Sequence, residues 1–214
     1  MKNLSDRNIV VLEPYNPLDK KHIGEQVATA LLSQKVQSLP PEKFIGAGVY
    51  ALYYTGDFPS YSLLVEQNRN GKYLLPIYVG KAVPEGARKG SQGINDTQGT
   101  SLYKRLNEHA KSISAVNNLR LEDFHCKFLA VDDIWIPLTE SMLIKKFLPV
   151  WNCLLEGFGN HDPGKGRKDM ITPAWDWYHP GRTWAKDLKP YSKTVTKLDE
   201  EIRAYLRNLI QREV

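Results

Sequence analysis

Five side chains have types at odds with their positions. Glu140 is followed at +3, +4, +7 and +8 by Leu143, Ile144, Phe147 and Leu148, so a helix here turns its carboxylate to the apolar face. A buried carboxylate needs a cation, a metal or dense hydrogen bonding. The alternative is a first-turn glutamate favoured by the helix dipole with its head in water, and position alone does not separate the two. His109 lies on the stripe of Leu102, Leu106 and Ile113, and Arg105 precedes it by four, so both point the same way. A lone histidine on such a face is ordinarily a satisfied core residue, but a guanidinium beside it calls for an anion. Tyr50 and Tyr78 lie in strand-like runs with a glycine two residues away, Gly48 before one and Gly80 after the other, where a ligand can approach the backbone. Tyrosine in strands is otherwise packing, as expected of Tyr53, Tyr54, Tyr61 and Tyr73. Together the five suit phosphodiester hydrolysis: a carboxylate-held metal, an arginine for the transition state and a Tyr/His pair to relay a proton from water. Spacing alone does not select that chemistry.

The elements that must position them follow from periodicity. Leu18 to Leu39 reads as a helix through Ile23, Val27, Ala30 and Leu31, ending at Pro40-Pro41. Ala47 to Thr55 is a strand rich in β-branched and aromatic residues, and Tyr61 to Glu66 is a candidate short strand. Asn68 to Lys72 is a turn around Asn70-Gly71, and Tyr73 to Gly80 is the next strand. Residues 83–100 form a loop. Ser101 caps a helix carrying Arg105 and His109, and Phe124 to Val131 is a third strand. A second helix starts at Pro137 and is stopped by Pro149. Residues 156–192 have no regular period and hold Trp175, Trp177 and Trp184. Thr194 to Arg212 is a final amphipathic helix on Leu198, Ile202, Tyr205, Leu206 and Leu209. The order β-β-α-β-α with irregular additions is an α/β or α+β domain.

The 214 residues suffice for one domain with an extension, and 42% hydrophobic with 25% charged is an ordinary globular balance. No apolar run approaches the ~18–20 residues of a membrane span, and the polar start lacks a signal-peptide core, so a cytoplasmic protein is expected. Cys126 and Cys153 are too few for a disulfide framework or zinc site and are expected as small core residues. The net charge of +5 is unevenly spread: residues 81–120 carry seven basic against three acidic residues, and residues 157–193 seven against four. Loops that touch a polyanion often have this character, as do plain solvated loops.

On these residues the chain resembles the GIY-YIG nucleases. The matching stretches are Gly48-Val49-Tyr50, Tyr78-Val79-Gly80, the helix from Leu102 to His109, and Glu140 through Leu143-Ile144 to Pro149-Val150-Trp151-Asn152. Each is weak alone; their order on the right elements makes them specific. The resemblance covers about residues 44–155 and implies a small antiparallel three-stranded sheet, first strand central, flanked by helices. The expected organisation is one domain over 1–214: a catalytic core at 44–155, an N-terminal helical extension at 1–43, and a C-terminal DNA-contacting extension with its helix at 156–214. The resemblance further implies one Mg²⁺ per site bound through Glu140. Tyr50 would be the water-activating base or its relay, hydrogen-bonded with His109. Tyr78 would orient water and phosphate, Arg105 would bind the scissile phosphate, and Asn152 would hold the helix end and nearby groups in register. The chain departs from the family in the 27 residues, 51–77, between Tyr50 and Tyr78, and in the long loop 83–100; insertions in surface connections need not disturb a fold.

A compact, single-domain member resembles the type II restriction endonucleases of this family, especially those cutting the palindrome CCGCGG. That implies double-stranded DNA as substrate, a homodimer matching its two-fold symmetry, a cognate DNA methyltransferase and a bacterial cytoplasm. Arg88, Lys89, Lys104, Arg167, Lys168 and Arg182 are the candidate DNA contacts, since arginine reads guanine bidentately. A structure-specific or repair-type nuclease is the alternative within the class. A catalytically silent DNA-binding protein is the alternative outside it, but its expected mark, loss of Tyr50, Arg105, His109 or Glu140, is missing. Other motifs fail on context. Gly159 to Gly166 nearly spells a P-loop but has Gly166 in place of the Ser/Thr. Asp187-Leu188-Lys189 lacks strand context, and His125/Cys126 and Cys153/His161 lack metal-ligand spacing.

Overall fold

The computed structural model describes residues 16, 19–84, 99–162, 164 and 169–212. Its first helix, α1 (Lys20–Leu32), starts where the Asp19 carboxylate accepts the Lys21 N–H. It is shorter than the sequence predicts, because the chain turns at Ser33 and Gln37–Ser38 forms a short strand, β1. The longer strands are β2 (Gly48–Tyr54), β3 (Tyr78–Ala82) and β4 (Phe124–Ala130). All pairs are antiparallel and the order is β1-β4-β2-β3, so the expected three-stranded sheet with its first long strand central gains one two-residue strand at its edge. Gly48, at φ +149°, lets β4 approach: a Cβ there would lie 2.1 Å from the Leu129 carbonyl oxygen.

Every residue of β2 is buried because both sheet faces are covered. On one face α1 and α4 (Ile136–Phe147) pack Leu31, Leu143 and Phe147 against Val49, Ala51 and Val79. On the other, Tyr50, Leu52 and Tyr54 meet α2 (Ser62–Asn68), α3 (Ser101–Ser114), α5 (Val150–Cys153), α6 (Ala174–Tyr178) and α7 (Val195–Gln211). The pleat therefore sends Tyr50 to the α3 side and Val49 to the α4 side.

The structure corrects four local expectations. Tyr61 to Glu66 is helical: Pro59 opens a 3₁₀ turn, and Tyr61, Leu64, Val65 and Asn68 are buried at helical spacing. Asn68 ends α2 by donating to the Tyr54 and Leu75 carbonyls while accepting the Leu75 N–H. The run from Tyr73 becomes a strand only at Tyr78, since Tyr73 sits at φ 44° and Pro76 has no N–H for a ladder. The cap of α3 is Thr100, with Ser101 the first helical residue. Cys126 is buried but Cys153 is exposed, and both are free thiols. Among the described residues no helix is long and apolar enough to cross a membrane.

Candidate active site

Tyr50 and Tyr78 project from neighbouring strands onto one face, offset by two residues, because Tyr50 is paired with Gly80. Gly80 supplies the room: a Cβ on it would stand 2.4 Å from the Tyr50 hydroxyl. α3 crosses this face with Arg105 and His109 one turn apart. The Tyr50 Oη and His109 Nε2 are 2.5 Å apart, and the imidazole stacks on Phe158 with centroids 4.5 Å apart. Burial pushes the Tyr50 hydroxyl well above its ordinary value, with Tyr78 adding to it and Arg105 opposing. Burial also holds His109 well below its ordinary value, helped by the charge of Arg105. The resting pair is therefore phenol and neutral imidazole. Tyr78 is likewise raised by burial, against Arg105.

Arg105 is aimed by three partners. Its Nη1 donates to Glu108 at 2.8 Å and to His161 Nε2 at 2.7 Å, and its Nη2 donates to the Gly159 carbonyl at 2.8 Å. Two of the three come from the segment after α5, which a buried ion pair holds in place. Arg182 pairs bidentately with Asp176 at 2.6 Å for both bonds, and also donates to the carbonyls of Gly157, Phe158 and Asn160. Its guanidinium lies between Trp175 and Trp184, with ring centroids at 4.7 and 4.8 Å. This corrects the expectation for Arg182: a guanidinium 5% exposed, with its donors engaged internally, is not presented to DNA. Lys104 is exposed on α3. Arg88, Lys89, Arg167 and Lys168 lie outside the described residues.

Glu140 reaches the site from the opposite face of the sheet, around edge strand β3. Its carboxylate forms an ion pair with Lys81 and is near enough that its charge opposes ionisation of both Tyr50 and Tyr78. Asn152 acts as a surrogate strand on the free edge of β3. Its Oδ1 accepts the Val79 N–H and its Nδ2 donates to the Val79 carbonyl, each at 2.8 Å, fixing the residue between Tyr78 and Gly80. Among the described residues there is no cluster of three or more His, Cys, Asp or Glu that could hold a metal. A single partly exposed carboxylate does not supply the full protein ligand set of a zinc ion; a hard ion such as Mg²⁺, held mainly by water and substrate oxygens, would need Glu140 to exchange its ion pair with Lys81 for the metal.

The structure thus brings Tyr50, Tyr78, Arg105, His109 and Glu140 together, with Asn152 supporting β3. Lys81, Gly159, His161 and the Asp176–Arg182 pair are additions that sequence reasoning missed. Lys81 had a signal, since it directly follows Tyr78-Val79-Gly80 on the strand face that meets α4. The others lie in a segment without periodicity.

An antiparallel sheet with its first long strand central, flanked by helices on both faces, is the GIY-YIG fold. Residues 42–206 match the family described as the Eco29kI GIY-YIG domain, a family of type II restriction endonucleases, and the chain belongs to it. The match runs past residue 155, and Phe158, Trp175, Tyr178 and the apolar face of α7 belong to the same core as Tyr50. No curated protein matches the chain.

Proposed function

We propose that the protein is a Mg²⁺-dependent, sequence-specific, homodimeric DNA endonuclease cutting a short palindrome, CCGCGG by family resemblance. The observation that carries this reading is the buried Tyr50–His109 hydrogen bond beside Arg105, in a chain of a restriction-endonuclease family. Attacking water gives its proton to the Tyr50 oxygen as the Tyr50 proton passes to His109 Nε2. Neither a phenolate nor an imidazolium needs to exist beforehand, which matches the shifts of both groups toward neutrality. Arg105 exchanges its bonds to exposed Glu108 and His161 for the non-bridging oxygens of the phosphate, where charge accumulates in the transition state. Tyr78 orients the water. The new P–O bond forms as the bond to the leaving deoxyribose oxygen breaks, and that oxygen takes a proton from solvent. Held by Glu140, one Mg²⁺ would supply positive charge to the phosphate and the leaving oxygen.

Base reading is assigned to Arg88, Lys89, Arg167 and Lys168 as candidates, with Lys104 as a backbone contact. Such an enzyme works in a bacterial cytoplasm beside a methyltransferase that protects the same site. The test is digestion of a fully sequenced plasmid with mapping of the ends. Discrete ends at one palindrome support the reading. Nicks at structural irregularities would instead indicate a repair-type nuclease, and salt-sensitive binding without cleavage a silent binder.

A further inference from the structure

α4 has two faces of opposite character. Toward the sheet lie Ile136, Leu143 and Phe147, with Glu140 directed to the edge of β3. The outward face begins with large apolar side chains in water: Ile134 is 71% exposed, Trp135 54% and Leu138 38%. Leu138, Ser141 and Lys145 share a stripe of α4, and Ile134 and Trp135 stand exposed in the 3₁₀ turn that leads into it. Three such neighbours on one surface are the mark of a contact face, and tryptophan is the residue most often found as its anchor.

The two ends of α4 carry opposite charge. Asp132 and Asp133 stand exposed just before α4, and Lys145 and Lys146 stand exposed in its last turn. α1, packed alongside, adds Lys20 and Lys21 to the groove between the two helices. That groove, of about 550 Å³, is lined by these four lysines, Leu138 and a single glutamate, Glu25. Among the described residues none of the four lysines forms an ion pair, nor does either aspartate. A strip that runs acid, apolar, base is complementary to its own reverse. A DNA backbone would meet repulsion at the aspartates and has no use for the apolar centre, whereas a second copy turned end for end satisfies all three parts.

We infer that this face is the homodimer interface. Two copies pack their α4 helices antiparallel about a two-fold axis, the acidic end of each on the basic end of the other, with Trp135 and Leu138 buried between them. The two charged clusters stand at opposite ends of α4, whose 12 residues run about 18 Å, so both ion clusters form at once around one apolar centre. The inference rests on the two-fold reading of the substrate and names the surface that supplies the symmetry. It uses the side of α4 opposite Glu140 and leaves the catalytic face open.

Sedimentation equilibrium on the full chain tests it with two charge reversals, Asp132→Lys/Asp133→Lys and Lys145→Glu/Lys146→Glu. All four positions are exposed, and circular dichroism checks that both variants fold. The wild type is expected to dimerise. Each variant alone, meeting like charge at both ends, is expected to dimerise at least about tenfold more weakly. A one-to-one mixture of the two is expected to regain wild-type association, because both contacts in the mixed dimer become attractive. A wild-type dimer indifferent to the reversals, or a mixture that stays dissociated, would overturn this interface alone. A wild-type chain that remains monomeric would overturn the two-fold reading and the interface with it.

Discussion

The Tyr50 hydroxyl oxygen and His109 Nε2 lie 2.5 Å apart with both side chains closed to water, and burial biases both toward their uncharged forms. A relay starting from a neutral pair predicts a particular pH profile. The single-turnover cleavage rate should be level through neutral pH and fall only well below the ordinary imidazole value of 6.5, where His109 finally protonates. A rate rising tenfold per pH unit toward the tyrosine range would instead assign water deprotonation to a Tyr50 phenolate. His109→Gln should cost about 10²–10⁴-fold in rate, because the amide cannot take up the proton.

Arg105 is held by three acceptors, two of them on exposed side chains, so a phosphate can compete for Nη1 while Nη2 stays on the Gly159 carbonyl. Arg105→Ala should therefore reduce the single-turnover rate by about 10²-fold or more, with a much smaller change in duplex affinity. Equal losses in affinity and in overall efficiency, with the bound rate intact, would remove the transition-state role.

Arg182 is assigned to architecture. Arg182→Met leaves the Asp176 carboxylate buried without its partner, and should cost about 3–5 kcal/mol of stability. For a chain of this size that corresponds to a fall in Tm of roughly 10 °C in a calorimetric scan. At low temperature, where the variant is folded, the salt dependence of duplex binding should match the wild type, because no phosphate contact has been lost. A shallower salt slope with unchanged Tm would return Arg182 to the DNA surface.

Stability should decline on mild acidification. His179 is pushed down to about 3 by burial, within a chain of bonds in which Trp151 Nε1 donates to Tyr61 and Asn118 Oδ1 accepts from the other imidazole nitrogen. His109 is lowered in the same direction. Folded values below the unfolded one mean that the unfolded chain protonates first as pH falls. Stability is complete above about pH 7 and is lost from the unfolded value near 6.5 downward, by up to about 1.4 kcal/mol per pH unit for each histidine. Urea unfolding followed from pH 8 to 5 should show this loss, and a flat profile would contradict the buried neutral assignment.

The site was more legible in the sequence than its supports. Tyr50, Arg105, His109 and Glu140 stand out because period-2 and period-3.6 patterns state which way a side chain points, and each of the four points where its chemistry is costly without a partner. The α2 segment was misread because Leu63, Leu64 and Val65 form a short apolar run that suits either strand or helix; the decisive spacing of Tyr61, Leu64, Val65 and Asn68 includes a polar residue, Asn68, that is buried for its backbone bonds. The burial of Arg182 is not legible in the sequence, because charge in an aperiodic segment says nothing about burial. Its partner Asp176 lies six residues away on a five-residue helix that tertiary packing with Trp175 creates.

The metal-dependent mechanism stands or falls on Glu140. Wild type and Glu140→Gln are to be compared on supercoiled plasmid in Mg²⁺, each with an EDTA control, while duplex affinity is measured in parallel. The expected result is Mg²⁺-dependent cleavage by the wild type at discrete positions, and duplex binding without cleavage by Glu140→Gln. Metal-dependent cutting retained by Glu140→Gln, or wild-type cutting indifferent to EDTA, would contradict it.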